Sequence, residues 1–134
     1  MISGIHDSLL ITYGVDSTRE ELFLGCLPHH GSAEAPFRVL FTNVAAHWFP
    51  YPLLPAILSD ILETSAEELI RKNWKIFCMG SADNAWPGAW GESIEKAVQY
   101  ARSNKLVGFN IESSYGLNGW VIAGAVSVLR ENEI

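Results

Sequence analysis

The side chains with catalytic potential in this chain include four histidines, and their spacing matches no catalytic or metal-binding motif. His29 and His30 are adjacent, and neighbours on an extended chain point in opposite directions, which disfavours a shared metal. His6, Asp7 and Ser8 contain the letters of a hydrolytic triad, but a triad requires groups that the fold brings together in space. We therefore predict no catalytic residue, no metal, no cofactor and no enzymatic activity.

The two cysteines, Cys26 and Cys78, lie in apolar runs without a CxxC spacing. We interpret both as reduced core residues of a cytosolic protein, and a disulfide between them stays open. The opening MISGIHDS has no basic segment and no long apolar segment, so we predict no signal peptide. No run approaches the length of a membrane span, and we predict a cytoplasmic protein that contacts no membrane.

The charge balance is acidic, with 15 Asp and Glu against 9 Lys and Arg and a formal net charge of -6. Nucleic acid and anionic membrane surfaces both require a basic face, so this balance argues against either as a partner. The same excess suits a soluble domain that meets a basic protein, although solubility alone also explains it.

Four carboxylates are concentrated at Asp60, Glu63, Glu67 and Glu68, and no basic residue lies between positions 58 and 70. Acids at the start of a capped helix are explained by the helix dipole, so a catalytic pair is not favoured there. Exposed acids also raise the association rate of a basic partner. We therefore predict that this cluster is a docking face.

Two tryptophans, Trp86 and Trp90, stand in a loop rich in proline and glycine, flanked by Asp83 and Glu92. They either fold back as a lid on the core or form a binding patch with an acidic surround. The predicted partner-binding residues are Asp60, Glu63, Glu67, Glu68, Asp83, Trp86, Trp90 and Glu92.

Alternating apolar residues predict a series of strands. The predicted strands are 8–15 and 20–27 as a hairpin, a strand from Phe37 that runs on towards Trp48, 56–62, 74–79, 107–112, and 120–129. Asn118-Gly119 between the last two predicts a hairpin with a type I′ turn.

A capping pattern and an amphipathic pattern each predict a helix. Thr64 and Ser65 precede acids at capping-box spacing, which predicts a helix from 65 to about 72. Apolar positions on one face predict a second helix over 92–103, packed on the sheet through Ile94, Val98 and Ala101. Residues 80–91 are predicted to be a loop. These elements indicate one α+β domain over residues 1–134, mainly an antiparallel sheet with two helices packed on it.

Four segments, IHDSLLITYGVD, FRVLFTNVAAHWF, ILSDILETSAEEL and FNIESSYGLNGWVIA, follow one another in an order that resembles small bacterial immunity proteins. Such proteins neutralise toxins of contact-dependent growth inhibition and polymorphic secretion systems. The resemblance implies a cytoplasmic, single-domain, acidic protein that blocks a cognate toxin, commonly a basic nuclease, and it transfers no catalytic residue.

A second hypothesis is a small-molecule-binding or regulatory domain, in which the Trp86 and Trp90 loop covers an apolar pocket. A gene for a toxin directly upstream would favour the immunity hypothesis. A closed cavity that retains a small molecule would favour the second.

Overall fold

The computed structural model of the chain describes residues 4–29 and 35–130, with eight strands and three α-helices in those ranges. The strands are β1 (Ser8–Asp16), β2 (Glu21–Leu27), β3 (Phe37–Thr42), β4 (Ala46–Trp48), β5 (Ala56–Ser65), β6 (Val107–Tyr115), β7 (Gly119–Ala123) and β8 (Ala125–Arg130). The helices are α1 (Ala66–Lys72), α2 (Trp74–Asn84) and α3 (Ile94–Ser103), with a short 3₁₀ helix at Ala89–Gly91. The predicted α+β class is confirmed.

The eight strands form one antiparallel sheet in the order β4-β7-β6-β5-β1-β2-β3-β8. The two terminal strands of this order, β4 and β8, each follow in sequence a strand from the opposite end of the sheet. Strand β4 follows β3, which pairs with β8, and β8 follows β7 through Gly124, while β7 pairs with β4. Two backbone hydrogen bonds bridge these junctions, from Ala45 N to Ile122 O at 2.8 Å and from Gly124 N to Thr42 O at 2.9 Å. The sheet therefore closes on itself.

The inner side of the closed sheet holds the main hydrophobic core. Phe41 on β3 and Phe109 on β6 have ring centroids 5.3 Å apart, although three strands separate β3 from β6 in the sheet. The buried members of this core are Ile5, Leu10, Leu22, Leu24, Cys26, Phe37, Val39, Phe41, Ala56, Leu58, Ile61, Phe109, Ile111, Leu117, Val121 and Ala123. Burial of these side chains on the inner side leaves the outer side convex.

The helices cover only part of the outer side. A second core cluster joins Ala46, Trp120 and Ile122 of β4 and β7 to residues of all three helices. Gly108 on β6 lies beneath Leu69 of α1, since a Cβ at Gly108 would be 2.6 Å from Leu69 Cδ1. Strand β7 is buried on both sides for this reason, and none of the three described α-helices packs on the outer sides of β1 and β2.

The predicted start of the first helix is confirmed, whereas the second helix begins at Ile94 and not at the predicted position 92. Ser65 Oγ accepts from Glu68 N at 3.0 Å at the start of α1, and Ser93 Oγ accepts from Lys96 N at 3.1 Å at the start of α3. These bonds satisfy backbone donors that the first helical turn leaves unpaired. Helix α3 packs inward as predicted, with Val98 and Ala101 buried and Ile94 against the same cluster.

The prediction of a strand over 74–79 is wrong, because α2 occupies these residues and extends to Asn84. The predicted loop over 80–91 is therefore wrong at both ends, where α2 ends and the 3₁₀ helix stands. Asn73 ends α1 and directly precedes α2. Trp74 and Phe77 are three residues apart and stack at 5.6 Å, a contact that helical spacing permits and strand spacing does not. The structure thus has three helices in the described ranges, one more than predicted.

The C-terminal hairpin is confirmed, but its predicted turn is wrong. A type I′ turn needs positive φ at both central residues. The positive φ angles here fall at Gly116 (87°) and Gly119 (154°), and not at Asn118. Instead, Asn118 closes the longer connection by accepting from Ser113 N at 2.9 Å and donating to Gly116 O at 3.0 Å. The predicted strand 120–129 is also divided, at Gly124.

The two cysteines are free thiols in different environments. Cys26 is buried in the inner core, as predicted, whereas Cys78 is exposed on α2, so its assignment to the core is wrong. Among the residues described, no helix has both the length and the apolar character that crossing a membrane would require.

Candidate protein-binding face

Trp86 packs against the second core cluster, which lies between the sheet and the helices. Its ring centroid is 5.1 Å from that of Phe77, 5.9 Å from Trp48 and 6.2 Å from Trp120. Gly80 makes room for it, since a Cβ at that position would be 2.4 Å from Trp86 Cε3. This placement corresponds to the lid alternative of the sequence analysis.

Trp90 is also half-buried against the helices. Its ring stacks on Tyr100 of α3 at 5.0 Å and meets Phe77 edge-on at 5.9 Å. Both tryptophans thus bury much of their apolar surface in intramolecular contacts. Their predicted role as partner anchors stays a prediction.

Two of the predicted acids carry ion pairs within the chain. Glu67 accepts from Arg71 Nε at 2.9 Å and from Arg102 Nη2 at 2.6 Å, which ties α1 to α3. Hydrogen bonds from Arg71 and then Arg102 lower the pKa of Glu67. Glu92 accepts from Lys96 Nζ at 2.7 Å, and this bond lowers the pKa of Glu92. Both carboxylates therefore already have cationic partners.

Three further predicted acids lie on three different elements. Glu68 Oε2 accepts from the Thr64 hydroxyl at 2.8 Å at the start of α1. Glu63 is exposed near the end of β5, directly opposite Phe109. Asp83 belongs to α2, and its side chain lies outside the part of the chain that the structure describes. The eight predicted residues are therefore spread over β5, the helices and the tryptophan loop.

Asp60 has a different environment from the other predicted acids. It lies on β5 directly opposite Glu112 of β6, so the two carboxylates project on the same side of the sheet. Asp60 Oδ1 accepts from Ile61 N at 2.8 Å. Within the described ranges, neither acid has a lysine or arginine in salt-bridge range. Facing like charges of this kind destabilise a sheet.

An exposed apolar row lies beside this acid pair. Leu9 of β1 pairs with Leu27 of β2 on one side and with Ile57 of β5 on the other, and Ile57 pairs with Tyr115 of β6. Leu27 is 37% exposed, Ile57 39% and Tyr115 58%. Their neighbours along the strands, such as Leu10, are buried in the inner core, so the row projects outward. Clustered exposed apolar side chains mark interaction surfaces more often than isolated ones.

We define the convex face as the outer side of the four adjacent strands β2, β1, β5 and β6, comprising the row Leu27, Leu9, Ile57 and Tyr115 with the pair Asp60 and Glu112. None of these four strands contains a lysine or arginine. The convex face therefore combines apolar side chains with negative charge that has no cationic neighbour on the same strands.

Sequence reasoning found Asp60 but missed the rest of the convex face. The alternation in β1 and β5 is interrupted by bulges, between Leu10 and Thr12 and between Ile57 and Asp60. A bulge adds a residue and exchanges the two sides of the strand, so period-two counting no longer identifies which residues face inward. The available signal was the adjacent apolar pairs, such as Leu9-Leu10 and Ile57-Leu58, which place an apolar residue on each side of a strand.

Among the described residues, the histidines form no site with one another. His6 Nδ1 lies 3.0 Å from Ser59 O beside the bulge of β5, and His29 is exposed. His30 lies outside the described residues. His47 is half-buried near Phe49, and burial lowers its pKa. The described ranges hold no group of three or more His, Cys, Asp or Glu placed to bind a metal ion.

Two cavities adjoin the tryptophans. One, of about 240 Å³, lies between the β1–β2 connection and β4, where Asp16, Glu20 and His47 line it together with Trp86. The other, of about 590 Å³, follows α3 beside Trp90, and its remaining lining residues are Glu95, Lys96, Gln99, Tyr100, Ser103 and Asn104. Both are open to solvent, whereas the ligand-binding hypothesis predicts a closed cavity under the tryptophan loop.

No protein-family model matches this chain, and no curated protein or solved structure is significantly similar to it.

Proposed function

We propose that this chain is an immunity-type protein that binds and neutralises a cognate bacterial toxin domain with a basic surface, of which a nuclease is the principal candidate. The chain resembles immunity proteins in the order of its segments, and its net charge of -6 suits a basic partner. In this proposal the convex face is the binding surface. Asp60 is the residue that it shares with the docking cluster predicted from the sequence.

The observation that carries the proposal is the combination of charge and exposed apolar surface on the convex face. Asp60 and Glu112 face each other without a cationic neighbour in the described ranges, an arrangement that folding alone disfavours. Ile57 and Tyr115 leave much of their side chains in water beside them. A basic partner with apolar contacts would relieve both costs when it binds.

The proposal assigns different kinetic roles to the two kinds of residue. Acids at the rim attract a basic partner over distance, so neutralising them slows association and weakens its dependence on salt. Apolar side chains that become buried hold the complex together, so truncating them speeds dissociation.

The test begins with the gene directly upstream, whose product is co-expressed with this chain and purified as a complex. Both rate constants are then measured with the toxin domain for Ile57→Ser and for the double variant Asp60→Asn/Glu112→Gln. Met79→Ser is the matched apolar control, because Met79 is 57% exposed on α2. Glu95→Gln is the matched acid control, because Glu95 is exposed on α3 without a salt bridge in the described ranges.

We expect Ile57→Ser to raise the dissociation rate constant about tenfold, and the double variant to lower the association rate constant at low salt, with both controls unchanged. If the convex-face variants and their controls had equal effects on the rate constants, the convex face would not be part of the interface. Absence of a toxin gene would count against the immunity hypothesis and in favour of the ligand-binding alternative.

A further inference from the structure

We infer that the partner receives the convex face in a concave, basic cleft, so that this chain occludes the cleft and competes with the polyanion that the cleft binds. This inference rests on the proposed function and specifies the shape and chemistry of the surface that the partner must offer. For a toxin of the nuclease class, the displaced polyanion is the nucleic acid substrate.

The strands that carry the convex face wrap around the inner core. Phe41 on β3 and Phe109 on β6 lie four inter-strand spacings apart in the sheet order, yet their ring centroids are 5.3 Å apart in that core. The strands between them are β2, β1 and β5, so these strands must turn around the core, and the bulges in β1 and β5 add to their twist.

Strand addition is not available to a partner where the apolar row crosses the sheet. Leu9 of β1 pairs with Leu27 of β2 on one side and with Ile57 of β5 on the other, and Ile57 pairs in turn with Tyr115 of β6. The backbone donors and acceptors of β1 and β5 are therefore used in the sheet at the row, whereas strand addition requires a free edge. A partner must contact side chains at the row.

A single helix fits the apolar row poorly. The row from Leu27 to Tyr115 runs across four strands, over a width of about 14 Å measured along the sheet. A helix laid along the strands would meet one or two members of the row. A helix laid across the strands would be straight over a curved surface and would lose contact at both ends. A concave surface can contact all four residues together.

A second copy of this chain is also disfavoured as the occupant. Two convex surfaces touch over a small area, and a symmetric contact would place the Asp60 and Glu112 pairs of both copies, four carboxylates, in one interface. The charge on the face instead selects lysine and arginine at the rim of the cleft. Nucleic-acid-binding clefts have this chemistry, because they neutralise a phosphate backbone with basic side chains.

The experiment measures competition at the toxin domain encoded upstream. A fluorescein-labelled single-stranded DNA of 20 nucleotides and, separately, labelled heparin serve as polyanion probes, with catalysis blocked by removing divalent metal. This chain is titrated into the preformed toxin–probe complex while anisotropy is followed. Conversely, the affinity of this chain for the toxin domain is measured in the presence of the unlabelled probe, at ten times the Kd of the probe for the toxin domain.

We expect full displacement of the probe by this chain and a rise of about tenfold in the apparent Kd of this chain in the presence of the probe. Ile57→Ser should displace the probe less effectively than wild type, and Met79→Ser should match wild type. A ternary complex with unchanged probe affinity would overturn the inference. A toxin domain that binds neither probe would also overturn it, since it would lack the basic cleft.

The two proposals fail in distinguishable ways. If the convex-face variants weaken binding of the toxin domain but the probe stays bound, occlusion is wrong and the proposed binding face stands. If the convex-face variants leave toxin binding unchanged, the proposed face itself is wrong, whatever the probes do.

Discussion

Glu67 is the residue at which two helices are joined by charge. Its carboxylate receives Arg71 from its own helix and Arg102 from α3, which is 35 residues away in sequence. The sequence predicted Glu67 as a docking residue, because acids in the first helical turn are visible locally. It could not show that Arg102 meets this carboxylate, because that contact depends on how α1 and α3 pack together.

The first prediction is that Glu67→Gln lowers the melting temperature at pH 7 but not near pH 2. The two arginines hold the pKa of Glu67 below its ordinary value in the folded state. The ion pairs therefore add stability above about pH 4.3, the unfolded value, and this contribution is lost as the pH falls through the folded pKa. Thermal unfolding of wild type and variant at both pH values measures the difference in melting temperature, with Glu95→Gln as control. An equal difference at both pH values would contradict the assignment.

The second prediction concerns the two thiols. Burial raises the pKa of Cys26 to about 12, whereas Cys78 is exposed. At pH 8 only about one Cys26 in ten thousand is a thiolate, the form that reacts with disulfide reagents. We expect Ellman's reagent to label one thiol per folded chain and two in urea. Cys78→Ser should abolish the reaction of the folded chain, and rapid labelling of both native thiols would show that Cys26 is accessible.

At the scale of elements, local signals were sufficient where they specify backbone geometry. Ser65 supplies a cap that acts within one turn, so the start of α1 could be predicted, and the apolar face of α3 predicted that helix although its cap, Ser93, was not recognised. Helix α2 could not be predicted, because residues 74–79 form a short apolar run that periodicity cannot assign. Its helical state is stabilised by tertiary contacts, including the parallel stacking of Phe77 on Trp120 at 5.7 Å.

The third prediction tests the packing of α1 on β6. Gly108→Ala would place a Cβ 2.6 Å from Leu69 Cδ1 and 3.0 Å from Thr64 Cγ2. We expect it to reduce the free energy of unfolding by about 1–3 kcal/mol, since overpacking forces the helix away from the sheet. In a Leu69→Ala background the same substitution should cost much less, with a coupling of about 1 kcal/mol or more.

Urea denaturation of the four proteins in this cycle gives the coupling directly. The relevant comparison is the cost of Gly108→Ala with and without the Leu69 side chain. An equal cost in both backgrounds would mean that Leu69 does not set the space available at Gly108.

At the scale of the whole molecule, closure of the sheet is the feature that sequence reasoning could not reach. Each hairpin is local, but closure depends on two short connections between opposite ends of the strand order. Residues 43–45 join β3 to β4, and Gly124 joins β7 to β8. The convex face exists only because of this closure, which buries one side of β1, β2, β5 and β6 and turns the other side outward, where α1 covers part of β5 and β6. The sequence showed the acidic balance of the whole chain, and the strand order then brings together four strands that contain no basic residue.

The last prediction is that the convex face is less stable than it could be, because of Asp60 and Glu112. The double variant Asp60→Asn/Glu112→Gln removes two facing charges, and the asparagine side chain keeps an oxygen that can accept from Ile61 N. We expect the free energy of unfolding to rise by about 0.2–1 kcal/mol at low salt, and the gain to shrink in 1 M salt as the repulsion in wild type is screened. Either single variant should recover most of the gain, because one neutralisation already removes the repulsion.

A double variant that is less stable, or a gain in stability that does not depend on salt, would show that the two carboxylates do not repel each other. A more stable double variant that binds the toxin domain more slowly would mean that the fold retains this strain because binding uses it.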